Sequence, residues 1–413
     1  MLSLSVRRAT RAGLASAALA LGLTAGLLTA PANAVAEPPR PAFYEAPATL
    51  PAANGDVIRS EKLSFLLDPA DASSVVTNSH RILYRSTDRT GKPIAVSGVV
   101  LVPKTPWIGF GKRPIIGYAA GTQGMADRCA PSRLFAEGIE YEGIGIAKLL
   151  ARGYAVAMTD YEGLGTAGVH TYMDRVSQGH AVLDAVRAAQ RLGLSGISQA
   201  NPVGLEGYSQ GGGAAASAVE LAPSYAPEIK LKGAVVGAVP AELGAVATNL
   251  EGTLWSAFSF FALRGLAESY DLDLSPYLNA EGQKVFTDVE SDCVFDLFST
   301  AFKKSKDLSA SGQPMAELMK NEPFRSIIAQ QRIGTMKPTV PVLVNHSALD
   351  DTIPYSVGKA MAKSWCGKGA NVRFSSNLAP LHVGGMLPHW GQDSLFWEAR
   401  FNGLPQVSNC WTL

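Results

Sequence analysis

Gly207-Tyr208-Ser209-Gln210-Gly211 has the form G-x-S-x-G, with an apolar run before it and Gly212-Gly213-Ala214-Ala215-Ala216 after it. A serine between glycines at a strand-to-helix junction suits a nucleophile elbow, where a strained turn lifts the hydroxyl and larger flanking side chains would collide. The helix start beneath Ser209 favours negative charge, and the Gln210 N–H would face a forming oxyanion. The competing reading is a glycine-rich turn that only packs a helix on a strand.

A serine hydroxyl is a weak nucleophile and needs an imidazole base held by a carboxylate. In chain order the acid and then the histidine should follow the serine. Only His346, His382 and His389 lie downstream of Ser209. The apolar run Val340–Val344 leads into Asn345-His346-Ser347-Ala348-Leu349-Asp350-Asp351-Thr352-Ile353-Pro354, where Asp350 fits the D-x-x-(I/V)-P loop of such enzymes. Asp351 competes for the acid role; whichever carboxylate is not used is expected as a solvated loop group or a helix cap. The base is expected at His382, just after the strand-like Asn371–Ser376. His346 reads as a packed strand-end histidine and His389 as structural, while His80, His170 and His180 precede the nucleophile. A second oxyanion donor should come from the loop after an early strand, here Ala120-Gly121-Thr122-Gln123-Gly124. Thr122 and Gln123 are equal candidates, and the alternative is a glycine-rich turn without a catalytic part.

Elements able to position these groups are visible along the chain. Arg81–Ser86 and Val96–Pro103 read as two strands joined by the turn cluster Thr90-Gly91-Lys92-Pro93. Short apolar runs follow at 114–119, 154–159, 203–207, 233–238 and 340–344, with helical spacing between them, as in 181–190. Strands buried on both faces and separated by helices indicate a mostly parallel sheet flanked by helices, an α/β fold. The alternation stops over 241–336, which has helical patterning and holds Trp255, Phe258, Phe260, Phe261, Phe286, Phe295, Phe298 and Phe302. That segment is expected to be an inserted helical cap, splitting the core into 61–240 and 337–413. Its aromatics would line an acyl tunnel, meet a lipid surface, or form the cap's own core.

With 413 residues, 47% of them hydrophobic and 17% charged, the chain can bury a large core and is not disordered. A net charge of +1 without a basic cluster gives no footprint for nucleic acid. The N-terminus has Arg7, Arg8 and Arg11, an uncharged run from Ala12 to Ala30, and then Pro31-Ala32-Asn33-Ala34. That order is a secretory signal peptide, 1–34, rather than a retained anchor, and its removal leaves a net charge of −2. No later segment is apolar and long enough to span a bilayer, so an extracellular protein is expected. A Pro-rich extended arm is expected over 35–60. In an oxidising compartment Cys129, Cys293, Cys366 and Cys410 should form two disulfides, in any of three pairings. Their spacing does not suit zinc.

Taken together, the motifs resemble the secretory lipase family. The resemblance rests on Ala42-Phe43-Tyr44, 83–87, Gly121–Gly124 with Cys129-Ala130-Pro131-Ser132, and Asp160-Tyr161-Glu162-Gly163-Leu164-Gly165, besides the serine motif and 346–355. It implies an α/β-hydrolase fold with a helical cap or lid and a triad of Ser209, Asp350 and His382. It also implies the disulfides Cys129–Cys293 and Cys366–Cys410. The family's acidic oxyanion-loop residue has no counterpart within Gly121–Gly124. The activity it implies is ester hydrolysis without metal or organic cofactor, on acylglycerols or on short soluble esters. A binding module on the same fold that had lost catalysis is the rival from another class.

Overall fold

The computed structural model describes residues 39–63 and 77–413. The expected signal peptide lies outside them. Nine strands form one sheet: β1 (Val57–Lys62), β2 (Thr77–Thr87), β3 (Pro93–Pro103), β4 (Ile115–Ala119), β5 (Ala155–Thr159), β6 (Val203–Tyr208), β7 (Leu231–Gly237), β8 (Val342–Ser347) and β9 (Val372–Asn377). Their order is β1-β2-β3-β5-β4-β6-β7-β8-β9. The first three are antiparallel, β3 pairs β5 antiparallel, and every pair from β5 to β9 is parallel. The α/β reading of the sequence is therefore right.

The β2–β3 hairpin keeps register from Thr77 opposite Pro103 to Thr87 opposite Pro93. Its turn closes on Asp88, whose Oδ1 accepts the Thr90 and Lys92 N–H groups (2.8 and 2.9 Å). One expectation needs correction. The arm assigned to 35–60 ends early, because Val57–Lys62 pairs with β2 as an edge strand. Its Ser60, Glu61 and Lys62 face water at a sheet edge, so no apolar run announced it. The preceding residues are docked as well. Phe43 and Tyr44 are buried against Leu83, and the Tyr44 hydroxyl bonds Ser132 Oγ at 2.9 Å.

The strands β4 to β8 are short and nearly all buried, because helices cover both faces. The helix Arg175–Arg191 is capped by Asp174, which accepts from the Val176 and Ser177 N–H groups. It packs on the helix Gln210–Tyr225, and the buried alanines and glycines of the two allow close approach.

Between β7 and β8 the chain is helical and contains no strand among the described residues. Its longest helices are Leu243–Leu250, Ala257–Ser269, Ala280–Asp288 and Phe324–Gln330. This insertion has an apolar cluster of its own, including Phe260, Phe261, Phe286 and Phe324, distinct from the core around the sheet. Its two ends meet, the Ile333 N–H donating to Ala241 O at 3.1 Å. Cys129–Cys293 joins the insertion to the segment after β4, and Cys366–Cys410 ties the C-terminal tail to the helix Tyr355–Gly367.

Candidate active site

Ser209, Asp350 and His382 all follow the C-terminal ends of parallel strands (β6, β8 and β9), where an open sheet presents its loops. Ser209 has φ 60° and ψ −123°, a strained conformation for a residue with a side chain. Glycines permit that turn. A Cβ on Gly207 would come within 2.3 Å of Gly211 O, and one on Gly211 within 2.0 Å of Ala119 O. The turn sets Gln210 as the first residue of its helix, with its N–H among those that have no intrahelical acceptor.

Ser209 Oγ lies 2.8 Å from His382 Nε2, and His382 Nδ1 lies 2.8 Å from Asp350 Oδ2. The other Asp350 oxygen accepts the Thr352 and Ile353 N–H groups at 3.0 and 2.8 Å. Burial opposes the charge on Asp350, but His382 and these donors outweigh it and hold the carboxyl below its usual range. The carboxylate therefore orients the imidazole so that Nδ1 donates and Nε2 is free to accept from the serine.

Asp351 differs from expectation. It is neither a solvated carboxylate nor a helix cap: its Oδ1 accepts the His382 backbone N–H, and its Oδ2 accepts Trp255 Nε1–H, both at 2.8 Å. Tyr208 adds a second brace, its hydroxyl donating to His382 O at 2.7 Å. Asp351 thus links the histidine loop to the insertion. Asp351→Ala is expected to lower kcat by about tenfold to a hundredfold with little change in KM, since small displacements of a catalytic base are costly. Trp255→Phe should do the same more weakly; wild-type kcat in both variants would refute the bracing role.

His346 and His389 are held in packing contacts away from Ser209. His346 Nε2–H donates to Ile353 O at 3.0 Å. His389 is buried and accepts from Asn345 Nδ2 at 3.3 Å; burial pushes its pKa down to about 3. His170 had no role in the sequence reading, yet it contacts the elbow. Its Nδ1–H donates to Glu162 O (2.8 Å), leaving Nε2 to accept Gln210 Nε2–H at 3.0 Å. Burial lowers its pKa to about 4, which keeps that nitrogen an acceptor near neutral pH.

The loop after β4 is held from beneath by acids. The Gly121 N–H donates to Glu142 Oε1 (2.7 Å), and Gln123 Nε2–H to Glu140 Oε1 (3.1 Å). Thr122 Oγ1 is already bonded to Tyr172 OH at 2.6 Å. Among the described residues, the backbone N–H groups of Thr122 and Gln123 have no hydrogen-bond acceptor. Those two amides, rather than the Thr122 hydroxyl, are the groups left to meet a ligand oxygen. No acid lies within Gly121–Gly124, but Glu140 and Glu142 reach the loop from the segment 140–142, and nothing local in the sequence indicated this.

Burial pushes the Glu140 pKa up to about 8, with Glu142 adding to it, and burial pushes Glu142 up to about 7. Both therefore hold their protons more tightly folded than unfolded. The stability this contributes is fully present below about pH 4.5 and is lost as pH rises through about 7 to 8. The urea midpoint should fall between about pH 5 and pH 9, and Glu140→Gln should flatten the fall. An identical slope in that variant would remove Glu140 as its source.

A cavity is lined by Ser209 together with residues mostly from the insertion, including Phe258, Phe260, Leu263, Phe286 and Ile327. The aromatic residues of 241–336 thus divide. Phe258, Phe260 and Phe286 line the cavity, Phe261 packs inside the insertion, Trp255 braces Asp351, and Phe295, Phe298 and Phe302 are exposed. Among the described residues no group of three His, Cys, Asp or Glu side chains is arranged to hold a metal ion. None of their helices is long and apolar enough to cross a membrane.

The model of the family described as secretory lipase matches residues 130–409. A Mycobacterium tuberculosis (strain CDC 1551 / Oshkosh) protein named "Probable inactive lipase MT1628" is 30% identical, the match covering 88% of this chain and 82% of that protein. Lipase 10 of Candida albicans (strain SC5314 / ATCC MYA-2876) is 29% identical over 90% of this chain and 83% of its own. Among solved structures, Candida antarctica lipase A in its closed state superposes with a TM-score of 0.77 at 25% identity, covering 89% of this chain and 87% of that one.

Proposed function

The chain belongs to the secretory lipase family, and on that premise we propose that it is an exported carboxylic ester hydrolase acting on acylglycerols, a triacylglycerol lipase. The observation that carries this reading is the Ser209–His382–Asp350 chain of hydrogen bonds, whose Ser209 lines an almost wholly apolar cavity. An acyl chain is the substrate part that gains most from such a lining.

In the proposed reaction, His382 Nε2 takes the proton of Ser209 Oγ as the oxygen attacks the ester carbonyl. Asp350 stabilises the imidazolium. The Gln210 N–H and the free amides of Thr122 and Gln123 hold the oxyanion. The imidazolium returns its proton to the leaving alcohol, giving an acyl-serine. Water, deprotonated by the same histidine, then releases the fatty acid and restores the serine. Every proton is carried by His382, so no cofactor enters the scheme. The insertion would act as the lid over this site, and export would follow from the N-terminal signal.

The test is the rate on p-nitrophenyl esters and triacylglycerols of increasing chain length, below and above their aggregation limit. A lipase is expected to favour long chains and aggregated substrate. Preference for short monomeric esters would instead make the protein a carboxylesterase. The relative named as inactive gives weight to a second reading, a non-catalytic module. Stoichiometric labelling of Ser209 by an alkyl phosphonate is expected, and a folded protein that resists labelling would favour that second reading.

A further inference from the structure

In the sheet β4 lies between β5 and β6, and the three strands run parallel. The segment 160–174 after β5, the loop Ala120–Gly124 after β4 and the elbow after β6 therefore emerge at one end. The first of these bonds to both of the others. Tyr161 OH donates to Ala120 O at 2.7 Å, and Tyr172 OH is hydrogen-bonded to Thr122 Oγ1 at 2.6 Å. Across β4, His170 Nε2 accepts from the Gln210 side chain at 3.0 Å.

His170 is buried between those two tyrosines. Its ring lies 6.0 Å from that of Tyr161, 21° from parallel, and meets Tyr172 edge-on at 5.8 Å and 68°. Both separations are those of aromatic pairs in contact. One side chain thus touches the elbow through a nitrogen and, through its ring, both tyrosines that hold the loop. The segment itself is stiff. Tyr161 and Met173, near its ends, are left-handed (φ 72° and 69°), a conformation that persists only where the surroundings impose it. Between them Glu162 closes the turn, its carbonyl accepting His170 Nδ1–H (2.8 Å) and its carboxylate the Thr171 hydroxyl (3.0 Å). A Cβ on Gly163 would lie 2.2 Å from Val169 O, so the chain folds back at a distance that glycine permits.

We propose that His170 is a positioning residue that fixes the spacing between the two halves of the oxyanion hole, a role that rests on the ester hydrolysis proposed above. One half is the Gln210 N–H on the elbow; the other is the pair of amides at Thr122 and Gln123. Donors on two separate loops stabilise one oxygen only if both lie within hydrogen-bond reach of it. Asp350 and His382 follow β8 and β9, on the far side of β6 from β4, and do not set that spacing. A slip between loop and elbow would leave the Ser209–His382 bond in place and weaken the hold on developing charge. The imidazole must stay neutral to accept from Gln210 while Nδ1–H serves Glu162 O, and burial favours that form.

The experiment is a double-mutant cycle of His170→Phe and Gln210→Met. Two quantities are read: kcat on a short soluble ester, per serine titrated with an alkyl phosphonate, and the affinity for a trifluoromethyl ketone, which binds as a tetrahedral oxyanion. Phenylalanine keeps a ring between the tyrosines and removes the acceptor. His170→Phe is expected to lower kcat by about tenfold to a hundredfold at nearly constant KM. Ketone affinity should fall by about the same factor, because it follows the transition state. The double variant should lose little more than His170→Phe alone, since both changes remove one interaction. Tyr161→Phe, which cuts the tether to Ala120 O, should also weaken ketone binding, and it carries the test if His170→Phe does not fold. A folded His170→Phe with wild-type kcat per serine and wild-type ketone affinity would overturn the proposal and leave the residue as packing. So would losses that multiply in the double variant, or, failing a folded histidine variant, wild-type ketone affinity in Tyr161→Phe. A wild-type protein that neither hydrolyses esters nor labels would instead end the hydrolase reading, and this role with it.

Discussion

Ser209→Ala should lower kcat on a soluble ester by about 10⁶ while leaving the fold intact. The residue sits in a turn defined by its glycine neighbours, and alanine keeps the Cβ, so the strained backbone need not change. What is lost is the oxygen placed 2.8 Å from His382 Nε2. Asp350→Asn should cost about 10⁴, because an amide accepting two backbone N–H groups through its oxygen would turn its own N–H₂ toward His382 Nδ1. That favours the tautomer with the proton on Nε2, which cannot accept from the serine. Unchanged circular dichroism together with these rate losses is the expected result. Retention of wild-type turnover in Ser209→Ala would end the triad reading.

The second large effect is expected on opening Cys129–Cys293. The bond closes a separation of 164 residues, and removing it frees the unfolded chain by about 5 kcal/mol in the loop-entropy account. For Cys366–Cys410, with a separation of 44, the same account gives about 4 kcal/mol. The first bond has a consequence for the site that the second lacks. The segment around Cys293 pairs with the loop after β4, which carries the proposed oxyanion donors: Val294 N–H donates to Gln123 O (2.7 Å) and Met125 N–H to Asp292 O (2.8 Å). Cys129→Ser with Cys293→Ser should therefore lower both the urea midpoint and kcat, whereas Cys366→Ser with Cys410→Ser should lower mainly the midpoint. Equal kcat losses in the two double variants would show that the loop is not held through this bond.

The parallel sheet was legible because strands buried on both faces must be short and continuously apolar, as in Ile115–Ala119 and Ala155–Thr159. Edge strand β1 was not legible, since a polar strand at a sheet edge has no core face along its whole length to mark it. The elbow was legible for steric reasons: only glycine fits at 207 and 211, where Gly211 O and Ala119 O crowd the backbone. Chain order pointed to the pair Asp350 and Asp351 and to a histidine just after a late strand, with the D-x-x-I-P pattern favouring Asp350.

The tertiary structure assigned partners that chain order cannot rank. Asp350 and Asp351 are adjacent and chemically identical, and the turn after β8 sends one carboxylate to the imidazole and the other to a backbone N–H and Trp255. The braces Tyr208, Trp255 and His170, and the acids Glu140 and Glu142, come from segments many residues away. A hydrogen bond depends on where the folded backbone carries its atoms, and local spacing holds no record of that. Residue chemistry and steric limits at the elbow are local properties, readable in order along the chain. Which oxygen faces which proton is a property of the packed whole, set by the sheet order and by the insertion lying over it.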